Sequence, residues 1–192
     1  MELEEIKKRV KEKLSAKRYE HSLCVMEECA RLALIYGEDI EIAKKVGIAH
    51  DIAKEMTQQE SKEYLKEHTT QIDKLEKEME IFHAAIGADI AVSQFGYTKE
   101  MGQAIYAHTL GKYQMDRLTQ ILFVADSSSK DRNWNGVETL RKISNESLEK
   151  AVLYNLTMNL KRAIEMGWLI HPEAIQERNR LLIQQEKSER SN

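Results

Sequence analysis

Apolar residues recur at three- and four-residue spacing almost throughout the chain, and this periodicity constrains the fold more than any other feature of the sequence. The alternation of apolar and polar residues that is typical of half-buried strands is absent. With one proline and 8 glycines in 192 residues, long helices meet few breakers. A chain of this length can bury one core and is short for two. We therefore predict a single all-α domain, a helical bundle, over residues 1–192.

The periodic segments predict eight helices, separated by short polar stretches. Gly37 directly follows one of them, in the position where a glycine commonly ends a helix. The predicted helices cover about residues 2–14, 19–36, 39–54, 58–68, 83–95, 98–109, 115–127 and 146–166. We expect the C-terminal tail, about residues 184–192, to fray because it is polar and lies at a chain end.

Charge and composition exclude several classes of function. The formal net charge is −3 and the basic residues are dispersed, so no general nucleic-acid footprint is visible. The charged start MELEEIKKRV does not resemble a secretory signal, and no apolar run approaches the roughly 18 residues of a membrane span. Cys24 and Cys29 point to different faces of a predicted helix, as buried thiols in a reducing compartment would. We expect a cytoplasmic protein.

Four histidines and one aspartate share an unusual setting. Each histidine lies on or at the end of a different predicted helix among small or apolar residues, and the aspartate follows the apolar run ILFVA: His21, His50, His83, His108 and Asp126. A buried carboxylate without a partner costs several kcal/mol, so the aspartate requires an explanation. Any one of these residues alone is more often a packed core residue than a ligand. Convergence on one metal ion would explain them together.

The stretch VGIAHDIAKEM places His50 directly before Asp51 within an apolar run. On a helix, the two side chains point about 100° apart, so both reach one ion only if a helix edge faces it. Mixed imidazole and carboxylate ligands suit Fe, Mn or Zn better than Mg or Ca alone. Helical bundles build such sites from side chains on facing helices. A His-Asp pair also arises by chance, so this pair is evidence for a metal site only together with the other histidines and Asp126.

In the order H…HD…H…H…D, the chain resembles the HD-domain metal-dependent phosphohydrolases, an all-α superfamily that acts mainly on phosphoesters and nucleotides. Five local motifs are similar to those of one branch, the YqeK-like symmetrical bis(5′-nucleosyl)-tetraphosphatases of bacteria. These motifs are RYEHS, AHDIAK, FHAAIGA, HTLG and VADSSSKDR. That branch cuts diadenosine tetraphosphate into two ADP. The resemblance covers about residues 15–170.

The resemblance implies a role for each matching residue. The metal ligands would be His21, His50, Asp51 and Asp126, with iron as the usual ion and manganese, cobalt or zinc as alternatives. The nucleotide and its phosphates would be contacted by Arg18, His83, His108, Thr109, Asp126, Arg132 and His171. The family commonly has an aromatic residue and Ile-Glu-Pro before its arginine, where this chain has SSSK. This departure bears on the role of Arg132 and leaves Asp126 in place.

Spacing adds two roles. Lys54 follows His50 by four residues and would share its helical face, where it could hold a phosphate or a ligand carboxylate; a solvated surface lysine is the alternative. His108 ends a predicted helix, where the dipole favours a cation, so it is a candidate phosphate ligand or general acid. We predict that a metal-activated water held near Asp51 attacks an inner phosphorus atom.

The remaining aromatic and histidine residues have weaker assignments. Stacking on adenine is open to Tyr19, Tyr106, Tyr113 and Trp134, with core packing as the alternative, above all for Tyr106. His68 lies in the polar KEHTTQ and is predicted to be a surface residue.

Three functions remain open on the sequence. The first is hydrolysis of dinucleoside polyphosphates with ADP as product. The second keeps the fold and the metal but acts as a nucleotide phosphatase or guanosine polyphosphate hydrolase. The third is a regulatory module that binds nucleotide without turnover. The amphipathic helices also permit a homodimer.

Overall fold

A computed structural model describes residues 1–68, 72–79 and 81–190. In these ranges the chain forms eleven helices and no strand, which confirms the all-α prediction. The helices are α1 (Leu3–Lys13), α2 (Ala16–Tyr36), α3 (Ile40–Ala49), α4 (Gln58–Glu67), α5 (Lys74–Glu78), α6 (Phe82–Phe95), α7 (Lys99–Ala107), α8 (Arg117–Ser128), α9 (Val137–Glu146), α10 (Leu148–Met166) and α11 (Pro172–Arg190).

Capping residues set where the site-bearing helices begin and end. Ser15 accepts a hydrogen bond from the Arg18 amide (3.3 Å), so α2 begins at Ala16 and not near residue 19 as predicted. Gly37, at φ 68°, ends α2 in the left-handed conformation that a glycine adopts without strain. Asp39 then caps α3. These caps place the start of α2 and the end of α3 on the same side of the molecule.

Helix α2 packs against α3 and α8, and α7 packs against α6 and α8, around one main apolar cluster. The closest approach occurs at Gly47 on α3. A Cβ atom added there would lie 2.8 Å from Met26 Cα on α2, which no real Cβ contact allows. The two helices therefore approach as closely as they do because residue 47 has no side chain.

The third predicted helix is five residues too long. Helix α3 ends at Ala49, and a tight turn follows in which the Ile52 amide bonds to Ala49 O (3.1 Å) and the Lys54 amide to Asp51 O (2.8 Å). Lys54 therefore does not share a helical face with His50, contrary to the prediction. The apolar pattern continued past the helix end because turn residues such as Ile52 are themselves buried.

Helices α5, α9 and α11 were not predicted. The α9 sequence VETLRKISNE carries apolar residues at Val137, Leu140 and Ile143, a three-residue spacing that the sequence prediction overlooked. Helix α11 begins at Pro172, a residue favoured at the first helical position. It runs through the predicted tail 184–192 as far as Arg190, while residues 191–192 lie outside the described part.

Two further sequence predictions have a structural counterpart. Cys24 and Cys29 are both buried and free, as predicted. His68 is exposed, and its ring stacks on Tyr64 at 3.8 Å. None of the helices in the described ranges is long and apolar enough to cross a bilayer.

Candidate metal centre

Six of the predicted site residues meet in the interior, although they come from five different helices and the turn after α3. His21 stands on α2 and Asp126 near the end of α8, whereas His50 and His108 are the residues that cap α3 and α7. Asp51 opens the turn after α3. His83, in the first turn of α6, lies at the edge of the same group.

One half of the centre is formed by His21, His50 and Asp126. His21 Nε2 lies 3.0 Å from Asp126 Oδ1, and His50 Nε2 lies 3.8 Å from the same oxygen. Each of the three residues offers one ligand atom within 4.8 Å of the other two. The residues therefore have the spacing of a metal-ligand set.

The other half is formed by His50, Asp51 and His108. His50 Nε2 lies 3.5 Å from Asp51 Oδ2, and His108 Nε2 lies 3.6 Å from Asp51 Oδ1. These three residues are all buried and also offer ligand atoms within 4.8 Å of one another. Because His50 belongs to both halves, the two sets form one continuous cluster.

Hydrogen bonds fix which nitrogen of two histidines faces the cluster. His50 Nδ1 donates to Gly47 O at 2.8 Å, and His108 Nδ1 donates to Ile105 O at 2.6 Å. A carbonyl oxygen can only accept, so each Nδ1 carries the proton and each Nε2 of the neutral ring presents a lone pair. Within the described residues, the buried His50 Nε2 has no hydrogen-bond partner.

The donor set fits a metal ion. Lone pairs of His50 and His108 face carboxylate oxygens of Asp51 and Asp126, an arrangement of acceptors that needs a cation between them. Bonds of about 2.1 Å to one ion leave neighbouring ligand atoms about 3 to 3.5 Å apart, close to the separations seen here. Imidazole and carboxylate together suit a first-row transition metal.

Both aspartates are held ionised. Burial raises the pKa of both carboxyl groups, whereas histidine rings protonated on both nitrogens lower it far below the usual range: His50 and His108 act on Asp51, and His21 and His50 on Asp126. When the rings are neutral, the guanidinium groups of Arg18 and Arg132, which donate to the two carboxylates, favour the ionised forms. The cluster therefore offers two carboxylates that stay negative at any physiological pH.

Three cationic side chains, Arg18, Arg132 and Lys54, border the cluster. Arg18 Nη1 donates to Asp51 Oδ2 at 2.9 Å. Arg132 donates through Nε to Asp126 O (2.7 Å) and through Nη2 to Asp126 Oδ1 and to His21 Nε2 (3.1 Å). The altered SSSK loop therefore still directs Arg132 into the centre.

Lys54 reaches the edge of the cluster from the turn after α3, where it meets His83. Its Nζ lies 3.0 Å from His83 Nε2. Lys54 is accessible to solvent, but loss of water around the ammonium lowers its pKa. Burial, together with His108 and Lys54, lowers the pKa of His83 well below its usual range. His83 is thus neutral and accepts a hydrogen bond from Lys54, while Thr109 Oγ1 lies 3.2 Å from the same nitrogen.

His171 lies in a separate group. Its Nε2 lies 2.8 Å from Asp73 Oδ2, and Asp73, Glu76 and His171 form a third set with ligand-like spacing. Tyr106, a candidate for adenine stacking, donates to Glu76 Oε2 at 2.5 Å. Hydrogen bonds within this group account for its members, so His171 as a nucleotide contact stays a prediction.

The other aromatic candidates have diverse settings. Tyr19 and Trp134 are partly buried and pack against the main apolar cluster, and Trp134 Nε1 donates to Ser127 O at 2.8 Å. Tyr113 is exposed. Their stacking on adenine also stays a prediction.

Two residues that support the centre were missed from the sequence. Asp131 Oδ2 lies 2.8 Å from His21 Nδ1. Arg141, on the unpredicted helix α9, donates to the carbonyl oxygens of Ser128 (2.9 Å), Ser129 (2.7 Å) and Arg132 (2.9 Å), and so holds the loop after Asp126. The acidic residue in VADSSSKDR was a visible signal, whereas nothing local marks Arg141.

Comparison with known proteins finds a matching family and several relatives. The model of the HD domain family matches residues 18–131. A protein of Halalkalibacterium halodurans named symmetrical bis(5′-nucleosyl)-tetraphosphatase is 33% identical over 92% of this chain and 95% of its own length. One of the same name from Staphylococcus aureus is 32% identical over 79% of this chain and 80% of its own length.

A solved structure has the same fold. It is described as a predicted HD superfamily hydrolase involved in NAD metabolism from Clostridium acetobutylicum, with a TM-score of 0.89 and 31% identity over 96% of this chain and 98% of that one. The match of the family model extends from Arg18 to Asp131 and so includes every residue of the buried His-Asp cluster. The chain belongs to the HD-domain family, in the group of its relatives named symmetrical bis(5′-nucleosyl)-tetraphosphatases.

Proposed function

We propose that the protein is a metal-dependent phosphohydrolase that cuts diadenosine tetraphosphate symmetrically into two ADP. The observation that carries this proposal is the interior cluster in which unprotonated histidine nitrogens face two carboxylates, bordered by Arg18, Lys54 and Arg132. Such a cluster suits a metal ion, and the cations suit a polyphosphate. The names of the relatives supply the substrate class.

The ligands are His21, His50, Asp51 and Asp126, and His108 lies close enough to serve a second ion. When bound, the metal supplies a Lewis acid that lowers the pKa of a coordinated water and neutralises phosphoryl charge. We infer iron as the physiological metal from the family resemblance, with manganese, cobalt or zinc as alternatives. Metal analysis of protein purified without oxygen tests this choice.

The cations at the border have separate duties in this proposal. Lys54 carries the positive charge of the pair that it forms with neutral His83, so Lys54 and not His83 is the cation that meets a phosphate. Thr109 can donate to a phosphoryl oxygen next to it. Arg18 and Arg132, whose guanidinium groups already meet carboxylates, suit the bidentate binding of phosphate oxygens.

Asp51 and His108 are the proposed catalytic residues. Asp51 Oδ1, the oxygen that does not face Arg18, accepts a hydrogen bond from the attacking water and orients it toward a central phosphorus atom. The bond from that phosphorus to the central bridging oxygen breaks. His108 has its Nδ1 proton fixed to Ile105 O, so its Nε2 takes up the proton released by the attacking water and passes it to the departing ADP oxygen.

Product analysis separates the candidate functions. Protein loaded in turn with iron, manganese or cobalt is incubated with diadenosine tetraphosphate, and the products are separated by chromatography. Two ADP as sole product supports the proposal, whereas ATP with AMP contradicts the cleavage position. Orthophosphate or pyrophosphate from guanosine polyphosphates would favour the second candidate. Tight nucleotide binding without any product would favour the regulatory module.

The remaining partner assignments are proposals as well. We propose a cytoplasmic enzyme that does not bind nucleic acid generally, in line with the dispersed basic residues and two free buried thiols. A homodimer is compatible with the helical surface. Light scattering at several protein concentrations measures the oligomeric state, and a filter-binding assay with RNA and DNA at physiological salt measures nucleic-acid affinity.

A further inference from the structure

His21 differs from the other two histidines of the cluster in how its ring is held. His50 and His108 stand at the C-terminal ends of α3 and α7, where the last carbonyl groups of a helix have no intrahelical partner. Gly47 O and Ile105 O lie in these last turns and accept the Nδ1 protons of the two rings. Each of these histidines is thus oriented by its own helix.

His21 has no such carbonyl nearby. It stands in the second turn of α2, a helix of 21 residues, where the neighbouring carbonyls already accept bonds from the helical ladder. Its Nδ1 atom instead meets Asp131 Oδ2 at 2.8 Å, across 110 positions of sequence. The His21 side chain is buried, with 7% of its surface exposed, whereas 33% of that of Asp131 is exposed.

Asp131 is itself held in place. Ser129, which is fully buried, donates its hydroxyl to Asp131 Oδ1 at 2.7 Å, so both carboxylate oxygens have a partner. Arg141 binds Ser129 O at 2.7 Å and ties the same loop to α9. The aspartate therefore belongs to an ordered loop.

The consequence for His21 is a defined tautomer. Both ring nitrogens lie beside a carboxylate, but only Nε2 also meets Arg132 Nη2, at 3.1 Å, and a guanidinium group can only donate. Nε2 therefore keeps its lone pair toward the centre of the cluster, and the proton stays on Nδ1, where Asp131 accepts it. Hydrogen bonds to a charged acceptor are roughly twice as strong as those to a neutral one. A carboxylate behind a histidine ligand also raises the basicity of that ligand.

We propose that Asp131, held by Ser129, is the positioning residue that orients His21 as a metal ligand. The inference rests on the proposed function, because it requires His21 to bind the metal. It assigns a role to the loop in which this chain has SSSK. Ser129 and Asp131 together place the carboxylate behind the ring.

Metal affinity tests the proposal directly. Asp131→Ala should weaken Mn²⁺ binding about ten- to hundredfold, the range typical of lost outer-shell partners. Mn²⁺ affinity is measured by competition with a fluorescent chelator on metal-free full-length protein. Asp131→Asn keeps the shape of the side chain and one acceptor oxygen, so it should lose less Mn²⁺ affinity than Asp131→Ala. The asparagine variant replaces the alanine variant in the test if the latter does not fold. Ser129→Ala should show a loss below that of Asp131→Ala.

A second readout separates positioning from general stability. Nitrogen NMR of the metal-free protein should show His21 protonated at Nδ1, and Asp131→Ala should shift that ring toward a mixture of tautomers. Glu27→Gln is the matched control, because Glu27 pairs with Lys130 of the same loop yet is exposed. Like Asp131→Ala, Glu27→Gln removes one negative charge, but it should leave both the Mn²⁺ affinity and the His21 tautomer unchanged.

The outcomes distinguish the inference from the proposed function. Loss of affinity in both His21→Ala and Asp131→Ala supports it. If His21→Ala loses Mn²⁺ but Asp131→Ala binds within twofold of the unmodified protein, positioning by Asp131 is wrong and the ligand assignment stands. If His21→Ala itself binds Mn²⁺ normally, the ligand assignment is wrong and the inference falls with it. An equal loss in Glu27→Gln would assign the effect to net charge and overturn the inference.

Discussion

His50 Nε2 lies 3.5 Å from Asp51 Oδ2, although the two residues are adjacent and would diverge by about 100° on a helix. His50, the C-cap residue of α3, keeps helical dihedral angles (φ −54°, ψ −38°), and Asp51 lies in the turn that follows. The end of α3 therefore presents its edge to the centre, so that both side chains reach it.

Removal of either carboxylate should abolish metal binding and turnover together. Asp51→Ala and Asp126→Ala each remove a negative ligand and leave buried imidazoles facing a neutral side chain. We expect metal content to fall below a tenth of that of the unmodified protein and hydrolysis to fall in parallel, with helical circular dichroism unchanged. Elemental analysis and product chromatography measure the two effects. His68→Ala, a change at an exposed ring, should be silent; full turnover in either aspartate variant would refute its assignment.

Metal binding should stabilise the fold. A ligand that binds only the native state adds about 2.7 kcal/mol when present at 100 times its dissociation constant. We expect Mn²⁺ to raise the Tm of the metal-free protein by several degrees, and Mg²⁺ to raise it less because imidazole ligands disfavour it. Thermal unfolding by circular dichroism measures the shift. The shift should vanish in His50→Ala; a shift that survives there would place the ion elsewhere.

Gly47→Ala should disturb the centre from the packing side. The added Cβ would approach Met26 Cα to 2.8 Å, and backbone atoms cannot move aside as a flexible side chain can. We expect a loss of about 1 to 3 kcal/mol in unfolding free energy and weaker Mn²⁺ binding, because His50 moves with α3. In Gly87→Ala the nearest atom, His50 O, lies at 3.4 Å, so this control should be close to neutral. Urea denaturation compares the two; equal stability would contradict the close approach.

Lys54 should be a substrate contact and not a solvated surface lysine. Lys54→Ala removes the ammonium beside His83, and we expect kcat/KM for diadenosine tetraphosphate to fall about tenfold or more, the value of one charged hydrogen bond. Metal content should stay unchanged. Lys62→Ala, at an exposed position on α4, is the matched control and should leave kcat/KM as it is. Equal kinetics of the two variants would favour the surface alternative.

Arg141 should stabilise the loop that carries Arg132 and Asp131. Its guanidinium donates to three carbonyl oxygens of that loop, so Arg141→Ala should cost about 2 kcal/mol or more and lower metal affinity. Arg141→Lys should restore little, because an ammonium cannot reproduce the planar fork of donors. Chemical denaturation and chelator competition measure both. Full rescue by lysine would reduce the role of Arg141 to its charge.

Much of the fold was predictable. The eight predicted helices all exist, with ends within about three residues apart from that of α3. Local signals marked them, because a helix bears its apolar spacing and its caps within its own sequence. Helices α5, α9 and α11 were missed. Helix α5 has only five residues, the spacing of Val137, Leu140 and Ile143 in α9 was overlooked, and α11 buries a charged residue, Glu177.

The sequence by itself determined the candidate residues and their order, because imidazole and carboxylate among apolar neighbours are visible residue by residue. The family resemblance then selected His21, His50, Asp51 and Asp126 as the proposed ligands. Only the tertiary structure decided which nitrogen of each ring faces the centre and which cations border it. Those properties depend on a carbonyl at a helix end or on a carboxylate 110 positions away, and no local pattern encodes such distances.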